Sequence, residues 1–136
     1  MRVLVDADVL LDVALKREPF FSNASEVIRC AQDEPGEIAV AWHSLSNIAY
    51  LVRPDARPFI NHLLQFIEVP PAGTREAKQA VNFPMSDLED ALQCAAALAF
   101  DALFIVTRNV KDYKNSPIPA ITPAKFLAEA GRASQP

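Results

Sequence analysis

The chain opens on a short apolar run, Val3-Leu4-Val5, that passes directly into Asp6 and Asp8 and then into the apolar helical stretch Val9, Leu10, Leu11, Val13, Ala14. No other feature constrains the fold as much. A buried strand followed at once by a helix belongs to a parallel α/β sheet, and it places two carboxylates where the strand ends. Ligands of open α/β sheets bind at the carboxyl ends of the strands. Carboxylates beside a core strand are costly to desolvate unless they are paired, hydrogen-bonded or bound to a cation. A hard-metal site is therefore the first expectation. Asp8 directly precedes the helical run and also reads as a helix N-cap; Asp12, one turn further, reads as a solvated, dipole-favoured residue.

The rest of the chain repeats this alternation. Further strands are predicted at Glu37 to Trp42, Ile67 to Val69 and Ala102 to Thr107, with a weaker one at Ala120 and Ile121. All are short, apolar and not clearly alternating, as in a sheet covered on both faces. Between them, Ala24, Val27, Ile28 and Ala31, then Leu45, Ile48, Ala49 and Val52, then Phe59, Ile60, Leu63, Leu64 and Ile67 recur at helical spacing. Asp55, Thr74 and Thr122-Pro123 mark helix starts. The pattern predicts one doubly wound α/β domain over residues 1–130, with residues 131–136 as a helix stop and flexible tail.

The 136 residues, 51% of them apolar, suffice for a single core but not for a second domain. A net charge of −4 excludes global attraction of nucleic acid, so a polyanionic substrate needs a local basic patch or a metal. Cys30 and Cys94 are far apart and lack metal-type spacing, which predicts reduced core thiols. No segment offers the roughly 20 apolar residues of a membrane span, and the N-terminus lacks a signal-peptide pattern. A cytoplasmic location is expected.

Two more clusters carry polar chemistry. In Ser86-Asp87-Leu88-Glu89-Asp90-Ala91-Leu92-Gln93, three carboxylates crowd one turn at the start of a helix. Ser86 and Glu89 have the spacing of a capping box, and Asp87 suits the helix dipole. Asp90 lies against the alanine-rich run that must pack on the sheet, so it wants a partner. Near the end, the strand in Phe104-Ile105-Val106-Thr107-Arg108-Asn109-Val110-Lys111-Asp112-Tyr113 releases cationic and oxygen-bearing side chains at the sheet edge that also holds Asp6. Asp6, Asp90, Thr107, Asn109 and Asp112 are thus oxygen ligands drawn from distant positions, the kind preferred by Mg²⁺ and Mn²⁺.

The order and spacing of Leu4-Val5-Asp6-Ala7-Asp8-Val9-Leu10-Leu11-Asp12, Asp90-Ala91-Leu92-Gln93 and Val106-Thr107-Arg108-Asn109-Val110-Lys111-Asp112-Tyr113 resemble the PIN-domain ribonucleases, including VapC-like toxins of toxin–antitoxin pairs. The resemblance covers nearly the whole chain. It implies a three-layer α/β/α domain with a central parallel sheet of four or five strands. It also implies an acidic pocket for Mg²⁺ or Mn²⁺, in which Asp6 and Asp90 match the first and central acidic residues. Asn109 and Asp112 cover the region of the last, and Thr107 matches a hydroxyl beside the site. On this basis Asp6, Asp90 and Asp112 are expected to ligate metal, Asn109 to join them in catalysis, and Asp8, Asn47, Glu89 and Thr107 to support them. One position departs from the family: Ser44-Leu45-Ser46-Asn47-Ile48-Ala49-Tyr50 carries Asn47 where a glutamate is common. An amide brings no charge, and Asp8 or Glu89 would have to compensate.

The activity implied is hydrolysis of RNA phosphodiester bonds by a metal-activated water, with single-stranded or loop RNA favoured because splayed nucleotides enter a small pocket. Arg108, Lys111 and Lys114 are candidates for the RNA backbone, with Lys16 and Arg17 behind them. Arg108 could equally hold a carboxylate of the cluster. A small antitoxin whose Arg or Lys enters the acidic pocket, and a homodimer, are the partners implied. Two alternatives remain: a PIN-like domain that binds RNA or a partner without cleaving, and an aspartate-nucleophile phosphatase built on Asp6 and Asp8. Against the phosphatase, Leu10 occupies a position usually small or β-branched there, and no later lysine precedes an aspartate pair. His43 has no catalytic partner in the sequence and reads as a packing residue.

Overall fold

Val3, Leu4 and Val5 have no exposed surface and form β1 (Val3–Val5) at the centre of the sheet. In the computed structural model, which describes residues 1–132, β1 is followed by α1 (Ala7–Ala14), α2 (Phe21–Asp33), β2 (Ile38–Ala39), α3 (Trp42–Leu51), α4 (Arg57–Leu63), α5 (Thr74–Ala80), α6 (Leu88–Ala99), β3 (Phe104–Val106), β4 (Ala120–Ile121) and α7 (Pro123–Glu129). A 3-10 turn, Val110–Tyr113, links β3 to β4. The sheet is parallel throughout, in the order β2-β1-β3-β4. The chain leaves β1 to one side for β2 and returns on the other as β3. The crevice between the carboxyl ends of β1 and β3 is therefore the switch point at which such sheets bind ligands.

Alternation along the strands separates two apolar layers. Val3, Val5, Ile38, Val40 and Val106 face α1, α2, α4 and α7. Leu4, Ala39 and Ile105 face α6, where Cys94, Ala96 and Ala97 pack against them. Small side chains let α6 approach the sheet closely, and its outer alanines, Ala91 and Ala95, receive Ala80 of α5. Both cysteines are buried and unbridged.

The sheet has four strands. Of the predicted Ile67 to Val69 strand only a single bridge forms, Glu68 to Ala39, because β2 presents only two residues for pairing. The predicted strand ending at Trp42 is also shorter, since Trp42 already opens α3. Asp6, in extended conformation, rather than Asp8, occupies the N-cap of α1. The N-cap of α6 is Asp87, whose carboxylate accepts the Asp90 N–H at 3.1 Å, so the Ser86–Glu89 capping box does not form. Thr122 caps α7 as expected, accepting from Lys125 N–H at 3.1 Å. At the other end, Gly131 takes φ 70° and Arg132 bonds Asp33 at 2.6 Å, so Arg132, within the expected tail, reaches α2. The last four positions of that tail, 133–136, lie outside the described residues.

One turn matters for the site. α1 ends with Lys16 at φ 51°, while Lys16 N–H bonds the Val13 carbonyl at 3.2 Å and Arg17 N–H bonds that of Asp12 at 3.0 Å. This is a Schellman closure with a lysine where glycine is usual. It sends Arg17 back over the helix it has just left.

Candidate active site

Asp6 continues the sheet by one bond, its N–H donating to the Val106 carbonyl at 2.9 Å, and its carboxylate thereby projects at the switch point. Three buried side chains hold it. Gln93 Nε2 donates to Oδ1 at 2.9 Å, while Thr107 Oγ1 and the Tyr113 hydroxyl lie 3.0 and 3.1 Å from Oδ2. Gln93 is itself oriented by Ser44, whose hydroxyl donates to Oε1 at 3.2 Å. A polar relay thus runs from α3 through α6 to β1, with every buried partner satisfied as low dielectric demands.

Asp8 stands beside it on the first turn of α1. Its Oδ2 accepts from the Arg108 N–H at 3.1 Å and from Asn109 Nδ2 at 3.3 Å, with Thr107 Oγ1 at 3.2 Å. The single Thr107 proton lies between two carboxylates and serves one at a time. Asp8 Oδ1 is buried and has no partner. Burial, then the charge of Asp6, push the Asp8 carboxyl up to about 6 from 3.8, against the opposing pull of the Arg108 N–H.

Asp90, half-buried in the first turn of α6, completes the cluster. Burial, then Asp87 and Asp6, raise it to about 6, and Asp112 adds to the repulsion. The Tyr113 hydroxyl lies between Asp6 and Asp90, and burial beside the two carboxylates pushes its own ionisation well above the usual phenol range. Tyr113 is therefore a neutral donor at any working pH.

Asp112 is exposed on the 3-10 turn and acts on Asp90 only through its charge. Asn109 turns its NH₂ group to Asp8, as a donor holding that carboxylate. Across the mouth of the cleft, Asn47 Nδ2 donates to Glu89 Oε1 at 3.0 Å, bringing a carboxylate to the place on α3 where the side chain is uncharged. His43 is half-buried with Nε2 unpartnered, and burial lowers its pKa. Lys111 and Lys114 are exposed beside the turn.

The reading of Asp12 as solvated is corrected. It is 1% exposed, and both Arg17 and Arg108 bond it. The Arg108 guanidinium, a candidate for the RNA backbone, bonds Asp12, lies 3.9 Å from the centroid of the Phe20 ring and still keeps a solvent-exposed face. Tertiary packing decided this: α1 turns Asp12 inward, and the loop after β3 delivers a cation to it. Sequence reasoning also missed Gln93, Ser44 and Tyr113 as parts of the site. Gln93 did leave a signal, being one helical turn beyond Asp90 in a run otherwise made of alanine, leucine and cysteine.

Among the described residues, no group of three or more His, Cys, Asp or Glu side chains is placed so as to hold a metal ion by itself. Asp6, Asp90 and Asp112 do not form a ready-made cage. Mg²⁺ does not require one, since it is commonly held by one or two carboxylates with water and substrate phosphate in the remaining positions. Hard oxygens on Asp6 and Asp90, the orphaned buried Oδ1 of Asp8 and two carboxyls raised first by burial and then by neighbouring carboxylates fit such an ion.

Fold and site together define a parallel α/β domain with an acidic pocket at its switch point. The chain belongs to the PIN-domain family: the family model for the PIN domain matches residues 2–111. No curated protein sequence matches it. Among solved structures it is similar to VapBC2 from Rickettsia felis bound to a DNA fragment from their promoter, with TM-score 0.66 and 17% identity over 90% of this chain and 98% of that one. A toxin-antitoxin complex from Klebsiella pneumoniae gives 0.65 and 19%, over 89% and 97%. FitAcB from Neisseria gonorrhoeae gives 0.59 and 11%, also over 89% and 97%. At these identities the likeness is one of fold.

Proposed function

We propose that the protein is a metal-dependent endoribonuclease of the PIN type and the toxin of a toxin–antitoxin pair, hydrolysing RNA phosphodiester bonds at the carboxylate cluster of Asp6, Asp8 and Asp90. The observation that carries this reading is the carboxylate cluster at the switch point, in which a buried Asp8 oxygen lacks a partner and burial beside like charges raises both Asp8 and Asp90. Evolution rarely leaves such a cluster in a core-facing position unless a cation or a proton is to be held there. A bound Mg²⁺ or Mn²⁺ supplies an acidified water and neutralises charge building on the phosphate. Asp6 and Asp90 would hold it, with Asp112 and Asn109 at the edge. Gln93, Thr107 and Tyr113 keep the Asp6 oxygens aimed into the cleft, as supporting hydrogen bonds do for ligands generally. Asp8, with its carboxyl near 6, would accept the proton released as water attacks phosphorus and return it to the leaving oxygen as the phosphorus–oxygen bond breaks. Glu89, bonded to Asn47, returns a carboxylate to the rim of the cleft.

The similarity to structures of toxin–antitoxin complexes supports a cognate antitoxin as partner, and the acidic cleft suits an Arg or Lys from it. Trp42 and Tyr50, 69% and 71% exposed on α3, offer an aromatic face for that partner or for a second copy of the chain. No helix among the described residues is long and apolar enough to cross a membrane.

The test is calorimetric titration of Mg²⁺ and Mn²⁺ into wild type, Asp6→Asn and Asp90→Asn, with cleavage of a pooled RNA substrate measured in parallel. Binding and cleavage present in wild type and lost in both variants support the nuclease. Wild type that neither binds metal nor cuts RNA overturns it, in favour of a PIN-like domain that binds RNA or a partner without cleaving.

A further inference from the structure

We propose that Asp12 is a positioning residue that organises Arg17 and Arg108 into a two-arginine clamp for a backbone phosphate of the RNA strand entering the acidic cleft. The inference rests on the nuclease reading above and assigns the part of the site that receives substrate charge.

A buried carboxylate needs one cation, and this one has two. Asp12 Oδ1 accepts from Arg17 Nε at 2.8 Å and from Arg108 Nη2 at 3.2 Å, and Oδ2 accepts from Arg108 Nε at 2.7 Å. Within this group of three, one negative and two positive charges leave a single net positive charge, which faces the Asp8 carboxylate beside Arg108. Both guanidinium groups keep a solvent face, with side chains 37% and 27% exposed, while Asp12 is 1% exposed. Both line the same cleft as Asp6, Asp8, Asn47 and Glu89. The net positive charge therefore stands on a wall of a cleft whose carboxylates would otherwise repel any polyanion.

Each arginine is also held in one conformation. Arg17 is returned over α1 by the Lys16 turn, and its Nη2 donates to the Asp8 carbonyl at 3.2 Å. The Arg108 guanidinium carbon sits over the Phe20 ring, 3.9 Å from its centroid. Among the described residues, Nη1 of neither arginine has a hydrogen-bond partner. Planar donors already fixed in place lose little freedom on meeting a phosphate and match its oxygens in pairs. Asp8 and Asp12 are one turn apart on the same face of α1, so the clamp lies one helical turn from the carboxylate cluster.

The charge-only view and the clamp make opposite predictions for one substitution. Removing the Asp12 charge makes the cleft less acidic, so charge alone predicts tighter RNA binding by Asp12→Asn. The clamp predicts weaker binding, because both arginines lose their anchor. Binding of a short fluorescein-labelled single-stranded RNA to the full chain is followed by anisotropy against KCl concentration, with Ca²⁺ in place of Mg²⁺, and cleavage kinetics are measured with Mg²⁺. Circular dichroism checks that each variant is folded at the assay temperature. Asp12→Asn and Arg17→Gln are each expected to raise Kd about tenfold and to change KM more than kcat. Arg17→Gln should also flatten the slope of log affinity against log salt by about 0.7, the loss of one phosphate contact on a single strand. Because Arg17 is partly exposed, that variant tests the clamp even where Asp12→Asn does not fold. If wild type cuts RNA while Arg17→Gln keeps Kd, slope and KM, or folded Asp12→Asn binds as tightly as wild type or more so, the clamp is overturned and the nuclease stands. If wild type neither binds nor cuts RNA, both fall.

Discussion

Asp8 and Asp12 are the same residue type on the same face of the same short helix, one turn apart, yet the fold treats them in opposite ways. Asp12 is fully buried and carries two arginines. Asp8 is only partly buried, sits against another carboxylate, leaves one oxygen without a partner and is raised to about 6. A charge the fold intends to keep is matched within the fold; a charge left unmatched at the mouth of a crevice is available to something from outside. The contrast separates structural from chemical carboxylates better than burial does, because here the more buried residue is the better compensated.

The sharpest way to break the comparison is to remove the compensated charge. Asp12→Asn should destabilise the protein by about 3 kcal/mol, in the range for breaking a buried ion pair by removing one partner, since two partly buried guanidinium groups lose their anion. Urea denaturation measures it, and a loss below about 1 kcal/mol would mean that the arginines hydrate freely.

At the uncompensated site the effect should fall on chemistry. Asp6→Asn and Asp90→Asn should each cut RNA cleavage about 100-fold or more, the scale of losing one electrostatic contributor to a transition state. Stability of Asp90→Asn should hold or rise, because the substitution relieves repulsion from Asp6, Asp87 and Asp112. Cleavage rates together with melting temperatures check both halves.

Titration sharpens the contrast further. Asp8 and Asp90 are near 6 in the folded protein against an ordinary value of 3.8. Between those values the folded state binds more protons than the unfolded chain, so this pair adds stability as pH falls through about 6 towards 4 and withdraws it as pH rises to 7. The metal-free protein should therefore gain melting temperature relative to Asp8→Asn/Asp90→Asn on moving from pH 7 to pH 5. Mg²⁺ should stabilise wild type at pH 7 and lose that effect at pH 5, where protons occupy the same oxygens. Parallel melting curves for wild type and the double variant across this range would contradict the raised values.

The smallest effect expected is at the turn that serves Asp12. Lys16→Gly should stabilise by up to about 1 kcal/mol, because glycine accepts φ 51° without the penalty a lysine carries. Thermal denaturation reads it, and RNA binding should be unchanged if the turn closes as before.

Much of this was legible in the chain. The strand passing into Asp6, the helix-borne Asp90 and the strand ending in Thr107 could be placed on one sheet edge, because a parallel sheet puts all strand ends of one sense together. Other elements were less so. Ile67 to Val69 looks like a strand because its residues are apolar, but pairing depends on how much of β2 is left to receive it. The start of α1 moved from Asp8 to Asp6 and that of α6 from Ser86 to Asp87, since several residues in each segment are competent caps and backbone geometry selects among them.

The sequence by itself determined the architecture and the acidic edge, through apolar spacing and the placement of carboxylates directly after buried strands. Both are local patterns, readable wherever a residue and its neighbours share one element. Only the tertiary structure decided which carboxylates are neutralised. Asp12 meets Arg108 across 96 positions and Asp6 meets Gln93 across 87. No periodicity encodes contacts of that range; they exist because three elements converge at one crevice, and that convergence makes Asp12 an anchor for two arginines and leaves one oxygen of Asp8 without a partner.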